Sequence, residues 1–161
     1  MSQKTIETKN QSSDLPRKPS REHKRLNILV GSWKTEGKVS QSPSTTAMSL
    51  VAVDTYEWLP GGFFLIHRVD GHMGDDEVKT TEIIGFKASN QLYFSQSFDN
   101  QGNANTYQAS LDEKIWKIFG ESERFTGSFS DDGNNLIGKW ERSTDGSNWV
   151  PWIDIKLTKE T

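Results

Sequence analysis

At 161 residues the chain has the length of one domain, by the usual prior of about 100–200 residues each; 19 Lys plus Arg against 22 Asp plus Glu leave a net charge of −3. No cysteine is present, which excludes disulfides, Cys-ligated zinc, Cys nucleophiles and iron–sulfur clusters. Apolar residues reach only 32%, too few for a large helix-packed core, yet six Trp, three Tyr and eight Phe are too many for a disordered chain. Charge is divided along the sequence. Residues 1–25 carry seven cations against three anions, and the rest carries 12 against 19. The first 19 residues are polar, contain Pro16 and Pro19, and show no apolar period, which predicts a disordered basic tail ahead of one domain over 20–161. They hold no apolar run of a secretory signal, and no stretch approaches the roughly 18 apolar residues of a membrane span, so a cytoplasmic location is expected. Asn10-Gln11-Ser12 is a formal glycosylation acceptor without meaning in that compartment.

Ser20 opens a helix of about three turns that should stop at Gly31, with Leu26, Leu29 and Val30 on one edge. Its shape suits a cap rather than a layer, and His23 on it should face water. From Gly31 the period changes to two. Trp33, Thr35, Gly37 and Val39 share one face; Phe94, Gln96 and Phe98 alternate with Tyr93, Ser95 and Ser97; Phe125, Gly127 and Phe129 alternate with Arg124, Thr126 and Ser128; Ile153, Ile155 and Leu157 alternate with Asp154, Lys156 and Thr158. Met48–Leu59 and Phe63–Val69 are apolar on both faces in places, which calls for cover by the helix or by a second copy in a homodimer. Turn residues at 60–62, 74–76, 100–102, 112–113, 131–134 and 144–148 separate the runs. Nine or ten consecutive strands follow. An antiparallel up-and-down meander of that length closes into a barrel, because closure removes its two edges, and its interior can hold a small ligand.

Val30-Gly31-Ser-Trp33-Lys-Thr-Glu-Gly37 just after a short helix resembles the opening of lipocalins and other calycins. Together with Tyr56-Glu-Trp58-Leu-Pro-Gly-Gly-Phe-Phe-Leu65, Phe98-Asp-Asn-Gln-Gly102, and Asp131-Asp-Gly133 followed by Gly138-Lys-Trp140-Glu-Arg-Ser143, it is similar to the bacterial lipocalin-like family called domain of unknown function 1579, over about residues 26–159. That family has no settled activity, so the resemblance implies a fold and a cavity, not a reaction. It also implies that Trp33 packs at the closed end of the barrel under a cation, with Lys156 or Lys159 in place to supply it.

The candidate chemistry is sparse. His67 shares a strand face with Phe63, Leu65 and Val69, Glu82 lies among Val78, Ile84 and Phe86, and Arg142 follows Leu136 and Trp140. Glu82 in that setting is either a carboxyl of raised pKa or the partner of Arg142 or Arg124. Three scattered His make no zinc pattern, and the Asp/Gly/Asn clusters read as hairpin turns, not calcium loops. A barrel of net negative charge repels nucleic acid. The first reading is a binding protein without cofactor whose aromatic cavity takes a small apolar or amphipathic molecule. Trp33, Trp58, Leu65, His67 and Glu82 would line one part of it, and Phe94, Gln96, Phe98, Phe125 and Trp140 the rest. The alternative is an isomerase or hydrolase using His67 and Glu82 as an acid/base pair. A third is haem binding, since Gly31-x-Trp33-x-Thr35-x-Gly37 is similar to the nitrobindin opening, but residues 149–161 lack the His that those proteins use.

Overall fold

The computed structural model describes residues 17–40 and 48–161. The greater part of the expected tail and the 10–12 acceptor lie outside them. Ten antiparallel strands run in sequence order: β1 Gly31–Val39, β2 Met48–Trp58, β3 Leu65–Met73, β4 Asp76–Lys87, β5 Leu92–Asp99, β6 Ala104–Asp112, β7 Ile115–Phe119, β8 Glu123–Phe129, β9 Asn135–Arg142 and β10 Val150–Lys159. Each pairs with the next, and β10 returns to β1, closing the barrel. No helix among the described residues is long and apolar enough to cross a membrane.

The turns follow the chemistry of their residues. Gly61, Gly62, Gly74, Gly102, Gly133 and Gly146 all take positive φ, and so does Glu113 in the Asp112-Glu113 turn. The Asp-rich loops spend their carboxylates on their own backbone. Asp145 accepts from the amides of Ser147 and Asn148, each at 2.8 Å, which explains the cluster as a turn.

The helical segment is shorter than its sequence suggests. Residues Arg21–Arg25 form α1, and Leu26–Leu29 tighten into a 3₁₀ turn. Ser20 caps α1 with His23 in a reciprocal pair, the Ser20 amide donating to His23 Nδ1 at 3.0 Å. His23 therefore turns inward instead of facing water. Its ring meets Phe63 and Phe86 edge-on at 5.4 and 5.6 Å, and burial lowers its pKa. The segment plugs one end of the barrel and leaves the outer sheet bare, so Val51 and Val53 on β2 and Phe64 before β3 remain exposed.

Trp33 is the centre of that plug. It is fully buried, its indole Nε1 donates to the Leu29 carbonyl at 2.8 Å, and the Lys159 ammonium stands 4.8 Å from the ring centroid. Lys159 is thus the expected cation, while Lys156 points to solvent. Leu26, Leu29, Leu65, Phe129, Leu136 and Leu157 complete a dry cluster around it.

Candidate functional site

The inward faces of the strands divide into two halves by depth. At the helix end the inward side chains are sealed: Trp33 and Leu65 are fully buried, as is Leu26 beneath them. Beyond mid-barrel burial is mixed, with Leu50, Ala52, Phe125 and Ile153 pointing inward and buried. Val69, Thr80, Tyr107, Ile118, Trp140 and Ile155 all point inward by register yet keep contact with solvent. The end opposite the helix is hereafter the far end.

At mid-depth, five strands contribute one polar belt. Tyr56 and His67 are cross-strand partners, as are His67 and Glu82, so alternation places all three on the inner face with Asp54. His67 Nε2 lies 2.7 Å from Asp54 Oδ2, and its Nδ1 lies 2.9 Å from Glu82 Oε1. Thr35 donates its hydroxyl to Asp54 Oδ1 at 2.6 Å, and Ser95 donates to Glu82 Oε2 at 2.9 Å. The Tyr56 ring stacks on His67 at 4.0 Å, nearly parallel. Every carboxylate oxygen has a donor, and no buried side-chain nitrogen or oxygen among the described residues is left without a partner.

Two carboxylates decide the charge of the imidazole. Burial on its own lowers the pKa of His67, but the hydrogen bonds and Coulombic attraction of Asp54 and Glu82 outweigh it and hold the pKa at about 9. His67 is an imidazolium at neutral pH, with both N–H groups committed. Burial, and then the same two carboxylates, push the Tyr56 hydroxyl far above its ordinary range. The belt is a closed circuit of hydrogen bonds.

Across the barrel from the belt the wall is aromatic. The Phe125 ring lies over Gly127 and Gly138, where an added Cβ would come within 2.7 Å of its tip, so these two glycines make the seat for the ring. Trp140 packs at 5.3 Å from Phe125 and at 6.4 Å from Tyr107. A β-bulge between Pro151 and Ile153 re-aims Trp152, whose ring meets Trp140 at 6.4 Å. Above Trp152, at the rim, lies Arg142, with its guanidinium carbon 3.3 Å from the ring centroid. Tyr107 donates to Glu123 Oε2 at 3.1 Å, and Glu123 is the cross-strand partner of Arg142.

The residues expected in the cavity fall into three groups. His67, Glu82, Phe125 and Trp140 do point into the barrel, Phe125 as a buried core residue. Trp33, Trp58 and Leu65 belong to the plugged end, where the Trp58 indole donates to Asn27 Oδ1 at 2.7 Å. Phe94, Gln96 and Phe98 lie on the outer face: Phe98 is 50% exposed, and Phe94 packs edge-on against Phe64 above Gly85. The inner face of β5 is instead Tyr93, Ser95 and Ser97, because Glu82 needs the Ser95 hydroxyl. Glu82 pairs with His67, not with an arginine; Arg124 binds Glu141 on the outside at 3.0 Å. Sequence reasoning missed Asp54, although it alternates in phase with Leu50, Ala52 and Tyr56. Trp152 gave no signal, because its placement depends on the bulge. A groove of about 580 Å³ also crosses the outside of β9, β10, β1 and β2, but Glu36, Lys38, Asp154 and Lys156 border it as ordinary outward-facing charges.

The model of the family "Protein of unknown function (DUF1579)" matches residues 18–134, from the cap through β8 and its turn. The chain belongs to this family. The Gly138–Ser143 block lies beyond the matched stretch. No curated protein matches the chain. Among solved structures, Rv2717c from M. tuberculosis is similar with a TM-score of 0.61 at 11% identity, covering 88% of this chain and 99% of its own. The S-type phycobiliprotein lyase CPES from Guillardia theta is similar with a TM-score of 0.54 at 6% identity, covering 89% and 99%. At such identities the likeness is one of fold, and it agrees with the lipocalin-like barrel.

Proposed function

We propose that this family member binds a small amphipathic molecule, which enters the barrel from the far end and rests between the polar belt and the aromatic wall. The observation that carries the reading is a partly open stretch of the inner face: Val69, Tyr107, Ile118, Trp140 and Ile155, in the half away from the helix, point inward by register, keep contact with solvent, and are aromatic or aliphatic. An apolar chamber with a few fixed polar groups is the common anatomy of a small-molecule site.

Binding is favoured over acid/base catalysis by His67 itself. A general base must be unprotonated near the working pH, and an imidazolium of pKa about 9 is not. Its two nitrogens are also both occupied, so it has no lone pair to offer a haem iron. That a barrel of this shape serves as a phycobiliprotein lyase is compatible with a chamber that admits a guest, and says nothing of the guest's class here.

The test is thermal unfolding and tryptophan fluorescence with a panel of twelve-carbon amphiphiles below their micelle concentrations. A guest at about 100 times its Kd should stabilise the fold by roughly 2.7 kcal/mol. Ile118→Trp, which fills the chamber from the β7 wall, should fold and lose the response. A panel without any response, or one kept by Ile118→Trp, overturns the proposal.

A further inference from the structure

Arg142 is a cation at the rim whose donors have no taker among the described residues. It ends β9 on the inner register, opposite Glu123. Yet no carboxylate among the described residues comes within ion-pair distance of it. The other arginines from Arg25 onward are all paired: Arg25 with Glu22, Arg68 with Glu57, Arg124 with Glu141, each at 3.0 Å. Arg142 instead lays its flat face on Trp152. Stacking of this kind fixes the plane of a guanidinium and leaves its in-plane N–H fork free, which is the geometry that matches a carboxylate two bonds at a time. Burial against the ring draws the Arg142 pKa down and Glu123 draws it up, but the group remains a cation.

The nearby carboxylate does not fill that role. Glu123 already accepts the Tyr107 hydroxyl. Deeper in, Asp54 and Glu82 face a single imidazolium, so the belt carries one negative charge more than it balances. An anion is therefore repelled at mid-depth and attracted at the rim, while the wall of Trp140, Phe125 and Ile118 between them suits a hydrocarbon or aromatic body.

We infer that the guest in the barrel is an anionic amphiphile whose carboxylate is held at the rim by the Trp152-stacked fork of Arg142, with its apolar body directed inward along Trp140. This rests on the barrel-binding reading above and adds the head-group class.

Three probes of one chain length separate the two levels: dodecanoate, dodecanol and dodecyltrimethylammonium, each titrated by tryptophan fluorescence into the full chain at low and at 0.5 M salt. The expected result is about tenfold tighter binding of dodecanoate than of dodecanol, narrowing in high salt, as a charge-assisted pair should. Arg142→Met, which keeps the stem over Trp152, should reduce that preference to within about threefold while dodecanol binds as before. Arg142→Gln is a second variant should the first fail to fold. Equal binding of dodecanoate and dodecanol to the parent overturns the head-group inference and leaves the chamber standing. Preference for the ammonium probe overturns it as well. If none of the three binds, the chamber reading falls with it.

Discussion

The two ends of the barrel carry a tryptophan on the inner face beneath or beside a cation, and they use it for opposite ends. At the helix end Trp33 is fully buried, donates to a backbone carbonyl and sits under Lys159. At the far end Trp152 is half-buried, lies on a bulge, and carries Arg142 on its exposed face. The same pair of residue types is a keystone where it is dry and, in the proposal above, a receptor where it is wet. Burial, rather than residue identity, sets the role, since a cation over an aromatic ring is worth about 0.5–2 kcal/mol in either place, whereas truncating a buried ring also leaves a cavity.

The largest expected effect breaks the dry end. Trp33→Ala should cost about 3–5 kcal/mol of unfolding free energy, read by urea titration, and Trp152→Ala less than about 1 kcal/mol, in line with a partly solvated side chain. If the two variants lose equal stability, the contrast between the ends is wrong. Next comes the belt that divides them. His67 titrates at about 9 in the folded chain, above its ordinary 6.5, because burial is overcome by Asp54 and Glu82. Its contribution is fully present below pH 6.5 and is lost as pH rises through 9, a fall of about 3 kcal/mol. Unfolding free energies measured from pH 6 to pH 9.5 should show this decline in the parent and a flatter curve in His67→Gln. A parent curve as flat as the variant's would mean that the imidazole is neutral in the fold.

How much of this was legible in the sequence differs between the same two regions. The closed barrel and the cap follow from period and turn residues, which are local rules, whereas Trp33 under a lysine was implied by the resemblance of the Gly-x-Trp opening to calycins. His67 and Glu82 were visible as polar residues on apolar faces. Their bond to each other, and the part of Asp54, depend on register across β2, β3 and β4, which no single strand reveals. The face of β5 was misread for a physical reason. Alternation says which residues share a side, and the rule that the apolar side turns inward holds only where the interior is apolar. Here Glu82 takes the Ser95 hydroxyl, so Ser95 turns in, with Ser97 in phase, and the phenylalanines turn out. The mouth was invisible because a bulge shifts the phase of β10 by one residue.

The smallest expected effect is the sharpest check on that inversion. Phe98 is half exposed on the outer face of β5, paired across strands with Thr81 and Ala104, so little apolar burial is lost when its ring is removed. Phe98→Gln should change unfolding free energy by no more than about 0.5 kcal/mol, the usual range for surface positions. It should also leave the response to every twelve-carbon probe as in the parent, because the side chain never enters the chamber. Ser95→Ala, the loss of a single oxygen but on the inner face, should cost about 1–3 kcal/mol by leaving a Glu82 oxygen without its donor. The order matters more than either value. A ring deleted at 98 should be felt less than a single hydroxyl deleted at 95, and urea titrations showing the reverse order would return the phenylalanine face of β5 to the interior.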